Sequence, residues 1–205
     1  MNFSIAIAEI AILIFSVIIH EISHGYVAEM LGDETARRAG RLTLNPLSHL
    51  DPIGSVLLPL VLFISGAPII GWAKPVPYNP YNLRDPQKGG GLIALAGPAS
   101  NLVFAGLFSL LLHGLLWLKL VTPVSLLLIN TVILINVSLA LFNLVPIPPL
   151  DGSKVLFALL PPHMRNVQVF LERNGLLILF LFIFFGFGLI VPAINALVSL
   201  LAVWR

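Results

Sequence analysis

The stretch that decides the fold is IAILIFSVIIHEISHGY, residues 10–26. Its first ten residues are almost pure hydrocarbon, and His20, Glu21 and His24 follow directly. A membrane-spanning helix needs about 20 mostly apolar residues, and the apolar run that contains this stretch covers residues 3–31. Ionisable side chains are costly inside a bilayer, and those that occur there are usually functional. The stretch therefore predicts a spanning helix that carries a polar site in its later part.

The composition of the whole chain is that of a membrane protein. Of its 205 residues, 58% are hydrophobic and 10% are charged, whereas soluble domains carry about 25% charged residues. The N-terminal apolar run lacks the basic start and the cleavage site of a signal peptide, so we expect it to be retained. The chain contains no cysteine, which excludes disulfides and thiolate ligands. Any metal ion must be held by His, Asp or Glu.

The fold class predicted from these patterns is an all-α polytopic membrane protein, a single membrane-embedded domain over residues 1–205. Four segments are long and apolar enough to span, at about 3–31, 92–118, 124–145 and 175–203. A fifth apolar segment, at about 52–71, is interrupted by Gly and Pro residues. It forms either a full span or a re-entrant hairpin, which is tolerated where it is buried in protein or lines a wet cavity.

The positive charges favour the re-entrant hairpin. With four spans and the N-terminus outside, Lys119 and Arg205 lie outside, and the other nine Lys and Arg residues lie inside. Those nine are Arg37, Arg38, Arg41, Lys74, Arg84, Lys88, Lys154, Arg165 and Arg173. A full crossing at 52–71 would put the polar clusters 20–24 and 143–151 on opposite sides. We therefore predict a multi-pass protein of the cell membrane with its active site toward the cytoplasmic side.

Short β segments are expected on both sides of the hairpin. The candidates are GRLTL, residues 40–44, and GWAKPVPY, residues 71–78. Lys and Pro residues in the second segment suit an edge strand better than a central one. An exposed edge would offer its backbone to an extended peptide.

HEISH has the pattern His-Glu-x-x-His. Residues four apart share one face of a helix, so His20 and His24 can bind one zinc ion while Glu21 acts as a general base beside it. The alternative is two buried histidines that are satisfied by hydrogen bonds near a helix end. The apolar surroundings favour the metal site.

Catalytic zinc has three protein ligands and one open position, so a third ligand must come from elsewhere. Asp151 is favoured because it follows a proline-rich segment, NLVPIPPL, that cannot continue a helix and can hold a carboxylate at a fixed depth. The topology also puts it on the same side as the histidines. Asp51 and His49, in SHLDP, remain alternatives, and their other role would be a turn that caps the entry to the hairpin.

Two motifs together resemble the site-2 protease family of intramembrane zinc metalloproteases. They are HEISHG (20–25) and NLVPIPPLDG (143–152), which match His-Glu-x-x-His and Asn-x-x-Pro-x-x-x-Leu-Asp-Gly. AGPASN (96–101) and GRLTLNPLSHLDP (40–52) also resemble compact bacterial members that lack an accessory soluble domain. The resemblance covers about residues 17–155.

The resemblance implies a role for each matching residue. His20, His24 and Asp151 would be the ligands of one zinc ion per chain, and Glu21 would be the catalytic base. Asn143 would lie beside the site and help to hold the substrate backbone. Its amide NH2 would also suit the oxyanion that develops during hydrolysis; the alternative is a residue at the end of a helix that hydrogen-bonds the carbonyls freed before Pro146.

The predicted function is an intramembrane zinc metalloprotease that hydrolyses peptide bonds within or near transmembrane segments. Its predicted partners are a transmembrane protein substrate and the lipid bilayer, with no nucleic acid and an unspecified oligomeric state. The alternative is a membrane transporter or channel with a polar ion site, although the chain shows none of the repeated halves common in transporters. A non-catalytic scaffold with a structural zinc ion would need four ligands, and only three are evident.

Overall fold

The computed structural model of the chain describes residues 3–57, 60, 61, 64 and 73–203. The α-helices with described bounds are α1 (Phe3–Met30), α2 (Thr35–Arg38), α3 (Pro86–Trp117), α4 (Pro123–Asn143), α5 (Asp151–Leu159), α6 (Arg165–Leu181) and α7 (Val191–Leu201). Short 3-10 turns lie at Pro46–His49, Pro80–Asn82, Pro162–Met164 and Phe187–Leu189, and π-helical turns lie at Pro52–Leu57 and Phe182–Gly186.

Four helical stretches are long and apolar enough to cross a membrane: Ser4–Met30, Pro86–Trp117, Pro123–Asn143 and Pro162–Leu189. The all-α polytopic character is thus confirmed. The last stretch differs from the predicted span over 175–203, because it begins earlier and the chain continues into the separate short helix α7. Pro192, in the first turn of α7, has no N–H with which to continue the preceding helix.

The prediction of short β segments is wrong for the residues described. No strand forms at 40–44 or 73–78, and residues 71 and 72 lie outside the described part of the chain. Pro75 and Pro77 have no N–H to donate to a strand ladder. Between them, the N–H of Val76 donates to the carboxylate of Glu21 instead.

Most of the predicted re-entrant hairpin, residues 52–71, lies outside the described residues, so the hairpin stays a prediction. The described residues that flank it come back together, since the N–H of Lys74 donates to the carbonyl of His49 at 2.9 Å. The chain thus enters and leaves this segment at the same place in the molecule.

Asp33 anchors the returning segment to the end of α1. It is fully buried, and its carboxylate accepts hydrogen bonds from Thr35, from the backbone N–H of Asn79 and from the side chain of Asn82. Burial raises the pKa of Asp33, but these hydrogen bonds outweigh burial and leave the pKa below its ordinary value. The ionised carboxylate therefore holds residues 79–82 against α1.

Helix α3 lies at the centre of the packing and contacts α1, α4 and α5. Its start is fixed by Asp85, whose side chain accepts a hydrogen bond from Lys88 N–H, and by Pro86 in the first turn. Helix α4 begins with a capping box between Thr122 and Ser125. The main apolar core lies between α3, α4 and α7 and consists of Ala105, Leu112, Ile129, Ile133, Val137, Ile194, Val198 and Ala202. This packing places the middle of α3 directly beside the HEISH face of α1.

Candidate metal centre

The two predicted histidine ligands lie together on the buried face of α1. His20 is 6% exposed and His24 is 9% exposed. Their four-residue spacing puts them on the same helix face. Their ring centroids are 4.6 Å apart and the rings are nearly perpendicular. The Nε2 atoms of both rings face a single carboxylate oxygen, Oδ2 of Asp151, at 3.0 Å and 3.2 Å.

Asp151 reaches this place because of the turn that follows α4. Residues 144–150 form no helix, and Asp151 is the first residue of α5, where a carboxylate also interacts favourably with the helix dipole. Gly152 makes the turn possible. A Cβ at that position would lie 2.2 Å from the carbonyl oxygen of Leu144 and 2.6 Å from that of Val145, so only glycine lets the two backbones approach so closely.

The other ring nitrogens of the histidines are also held. The Nδ1 of His24 lies 2.6 Å from the carbonyl oxygen of Ile93. A carbonyl oxygen can only accept, so this Nδ1 carries the hydrogen. The Nδ1 of His20 lies 2.6 Å from Oδ1 of Asn101, which likewise accepts. With both hydrogens on Nδ1, each Nε2 presents a lone pair to Asp151.

Three acceptor atoms therefore converge: two imidazole lone pairs and one carboxylate oxygen. At 3.0 Å and 3.2 Å from the carboxylate oxygen, each Nε2 needs either a proton or a shared cation between itself and that oxygen. Zinc ligands at about 2.0–2.1 Å in a tetrahedron lie about 3.3 Å from each other, which is close to these separations. The residues present thus fit a zinc ion.

Gly97 of α3 provides the room for that ion. A Cβ at position 97 would lie 2.5 Å from Nε2 of His24 and 2.6 Å from Nε2 of His20. The space beside both lone pairs is open only because this residue has no side chain.

Glu21 lies at the edge of the same site. Glu21, His20 and His24 each offer one ligand atom, a carboxylate oxygen or a ring nitrogen. These three atoms all lie within 4.8 Å of one another. Oδ2 of Asp151 shares the same two histidines and lies 3.0 Å and 3.2 Å from their Nε2 atoms. Oε2 of Glu21 also accepts a hydrogen bond from Val76 N–H at 2.8 Å. Asp151 and Glu21 thus both lie beside the histidine pair.

The other predicted residues are placed as follows. Asn143 is the last residue of α4, and its amide donates to the carbonyl of Leu139 at 2.9 Å. Among the described residues, no hydrogen bond joins Asn143 to the two histidines, Glu21 or Asp151. The described residues thus give Asn143 no hydrogen-bonded link to the histidine cluster.

The two alternative ligands have other partners. His49 is buried, and its Nε2 donates to the carbonyl of Thr43 at 2.8 Å. Asp51 accepts hydrogen bonds from the backbone N–H groups of Ile53 and Gly54, as expected for a residue that caps the start of the next helical turn.

Sequence reasoning missed the groups behind His20. Asn101 and Asn136 are fully buried in spanning helices and are linked to each other and to His20 by hydrogen bonds. The available signal was an asparagine within an otherwise apolar helix, since such residues are rare and usually functional at membrane depth.

The chain is similar to known zinc metalloproteases. The sequence pattern of peptidase family M50 matches residues 122–186, a range that contains Asn143 and Asp151 but not the HEISH motif. "Putative zinc metalloprotease YwhC" of Bacillus subtilis is 39% identical over 192 residues, which cover 90% of this chain and 84% of that protein.

Two mycobacterial relatives are more distant. "Putative zinc metalloprotease Rip2" of Mycolicibacterium smegmatis is 30% identical over 93% of this chain and 70% of its own length. The protein of the same name from Mycobacterium tuberculosis strain Erdman is 31% identical over 73% of this chain and 54% of its own length. No solved structure matches the chain.

Proposed function

Since the chain belongs to peptidase family M50 and is an intramembrane zinc metalloprotease, we propose that His20, His24 and Asp151 are its zinc ligands and that Glu21 is its catalytic base. The observation that carries the proposal is the convergence of two histidine lone pairs and one carboxylate oxygen at 3.0–3.2 Å. None of the comparisons favours the alternative of a transporter or channel.

The reaction is the hydrolysis of a peptide bond. Zinc, when bound, supplies a Lewis acid that polarises the scissile carbonyl and favours ionisation of the attacking water. Glu21 takes the proton of that water and delivers it to the nitrogen of the leaving amine. The hydrogen bond from Val76 N–H engages one oxygen of Glu21 and leaves the other free to move the proton.

The substrate is the transmembrane segment of another membrane protein. The chain is a multi-pass membrane protein, and its site lies within α1, with His20 ten residues and His24 six residues before the last residue of that helix, roughly 9–15 Å along its axis. A substrate helix hides its amide bonds in hydrogen bonds to residue i−4, so it must unwind locally before the scissile bond can reach the site. Asn143, at the end of α4, binds the unwound backbone by exchanging its bond to Leu139 for one to the substrate.

The active site faces the cytoplasmic side, with the N-terminus outside. The support is the distribution of charge, because nine of the eleven Lys and Arg residues fall on the side where α1 ends. The meeting of Lys74 with His49 across the 52–71 segment agrees with a re-entrant segment. A segment that returns to its own side keeps Asp151 on the side of the histidines.

The test of the proposed function is Glu21→Gln. Glutamine keeps the oxygen that accepts from Val76, but it cannot take a proton. We expect the purified variant to bind one zinc ion per chain, as the wild type does, and to cleave a model transmembrane substrate in proteoliposomes about 10²–10⁴-fold more slowly. Unimpaired cleavage would exclude Glu21 as the base. A wild-type chain that binds zinc but cleaves no membrane substrate would instead favour a structural site.

A further inference from the structure

A chain of buried polar side chains runs from His20 through the middle of the membrane helices. Asn101 of α3 and Asn136 of α4 are fully buried, and Ser16 of α1 is almost fully buried. Buried polar groups must find partners within the protein, and in hydrocarbon there is no water to replace them. These three residues satisfy one another, and the direction of their hydrogen bonds is determined.

Asn136, the asparagine farther from His20, has only one possible orientation of its side-chain amide. The amide nitrogen of Asn136 donates to the carbonyl oxygen of Val132 and to Oγ of Ser16, both at 2.9 Å. A carbonyl oxygen can only accept, so the amide of Asn136 cannot be turned round without placing two oxygens against each other. Its Oδ1 must therefore face Asn101.

The orientation of Asn136 in turn determines the hydrogen bonds of Asn101 and His20. Because Oδ1 of Asn136 faces Asn101, it is the amide nitrogen of Asn101 that lies there, at 2.8 Å, and it also lies 3.4 Å from the carbonyl of Ser16. The remaining oxygen of Asn101 then faces Nδ1 of His20 at 2.6 Å. That oxygen accepts, so Nδ1 carries the hydrogen and Nε2 is left with its lone pair.

We propose that Asn101 and Asn136 are positioning residues that hold the hydrogen of His20 on Nδ1 and aim its Nε2 at the metal ion. His24 needs no such chain, because the carbonyl of Ile93 contacts its Nδ1 directly. The inference rests on the proposed function, since it assigns these asparagines to the zinc site. Groups that orient metal-bound histidines typically contribute 10–100-fold to metal affinity.

The competing explanation is that the asparagines only join helices, as polar residues often do in membranes. Asn130 provides a matched control. It lies in α4 with Asn136, it is 3% exposed, and its side chain exchanges two hydrogen bonds with Val203 in the C-terminal segment. Among the described residues no hydrogen bond joins Asn130 to His20, Asn101 or Asn136, so its removal tests helix joining alone.

The experiment compares zinc affinities of Asn101→Leu, Asn136→Leu and Asn130→Leu, measured in detergent by competition with a zinc chelator. Leucine keeps the branching of asparagine at the γ-carbon, is larger, and neither donates nor accepts a hydrogen bond. We expect Asn101→Leu to weaken zinc binding about 10–100-fold and Asn136→Leu to weaken it by about 10-fold, whereas Asn130→Leu keeps wild-type affinity. Thermal unfolding of the metal-free proteins measures the loss of stability separately.

If a leucine variant does not fold, the serine variant of the same position replaces it in the comparison. The hydroxyl of a serine in a helix can hydrogen-bond to the carbonyl at i−4, so it is not left buried without a partner. Zinc affinities of the Asn101 and Asn136 variants within twofold of the wild type would overturn the inference, as would an equal loss in the Asn130 variant. A wild-type chain that bound no zinc would contradict the proposed function instead, so the two failures are distinguishable.

Discussion

The replacement of Gly97 by alanine tests the metal site with a single methyl group. The new Cβ would lie 2.5 Å from Nε2 of His24 and 2.6 Å from Nε2 of His20. Non-bonded heavy atoms are comfortable at about 3.5 Å, so the rings or α3 must shift by about 1 Å. Metal sites tolerate deviations of only about 0.2 Å in their ligand distances. The methyl group would also occupy the space that the ion needs.

We expect Gly97→Ala to weaken zinc binding by at least about 100-fold, the upper end of what changes behind the ligands cost, because here the ligand rings themselves must move. Cleavage of a model transmembrane substrate should fall to background. The measurements are a zinc titration against a competing chelator and a cleavage assay in proteoliposomes.

Gly106→Ala is the matched control in the same helix, since nothing lies within 4 Å of a Cβ at that position. It should keep zinc affinity and cleavage and gain about 0.5–1 kcal/mol of helix stability. If Gly97→Ala bound one zinc ion per chain with wild-type affinity, the ion would not lie beside these two nitrogens and the proposed ligand set would be refuted.

Three further predictions concern the surroundings of the site. Asp33→Asn should lower the free energy of unfolding at pH 7 by about 1–3 kcal/mol, because charged hydrogen bonds are lost, and the thermal unfolding midpoint should fall accordingly. Because the folded pKa of Asp33 lies below its unfolded value of about 3.9, this stabilisation is present above that value and is lost as the pH falls through the folded pKa. The difference between wild type and variant should therefore shrink toward pH 3, and a constant difference would contradict the assignment. Asn143→Ala should keep zinc but reduce kcat about 10²–10³-fold, whereas Asn174→Ala, which removes the same kind of bond to residue i−4 in α6, should leave cleavage unchanged; equal kinetics in both variants would exclude a role for Asn143. Since the chain has no cysteine, Lys119→Cys should react with an impermeant maleimide in intact cells and Glu34→Cys only after permeabilisation, and the reverse pattern would invert the proposed topology.

Local spacing explains why half of the site was predictable. Residues four apart on a helix share a face whatever the rest of the chain does, so HEISH alone defines the histidine pair. The third ligand depends on long-range packing, and sequence reasoning favoured Asp151 over Asp51 and His49 without excluding either. The structure brings Asp151 to both histidines through a turn that requires Gly152.

The features that were missed or wrong all depend on contacts between distant segments. At 73–78, besides the two prolines that cannot donate to a ladder, Val76 N–H is engaged by Glu21, 55 residues earlier, a contact that no local pattern reports. Asn101 lies 81 residues from His20, and Asn136 lies 35 residues from Asn101. Gly97 looks like any small residue in a helix until the distance from its missing side chain to the histidines is known.

The choice of asparagine behind His20 is consistent with the charge of the site. Asp151 and Glu21, when ionised, together carry a formal charge of −2, which a bound zinc ion neutralises. Many zinc enzymes place a carboxylate behind a histidine ligand, but here that would add an uncompensated charge where the dielectric is low and burial of charge is costly. The amide of Asn101 and the carbonyl of Ile93 orient the two rings without adding charge. These two uncharged groups therefore fix the orientation of the histidines and leave the site electrically neutral at membrane depth when zinc is bound.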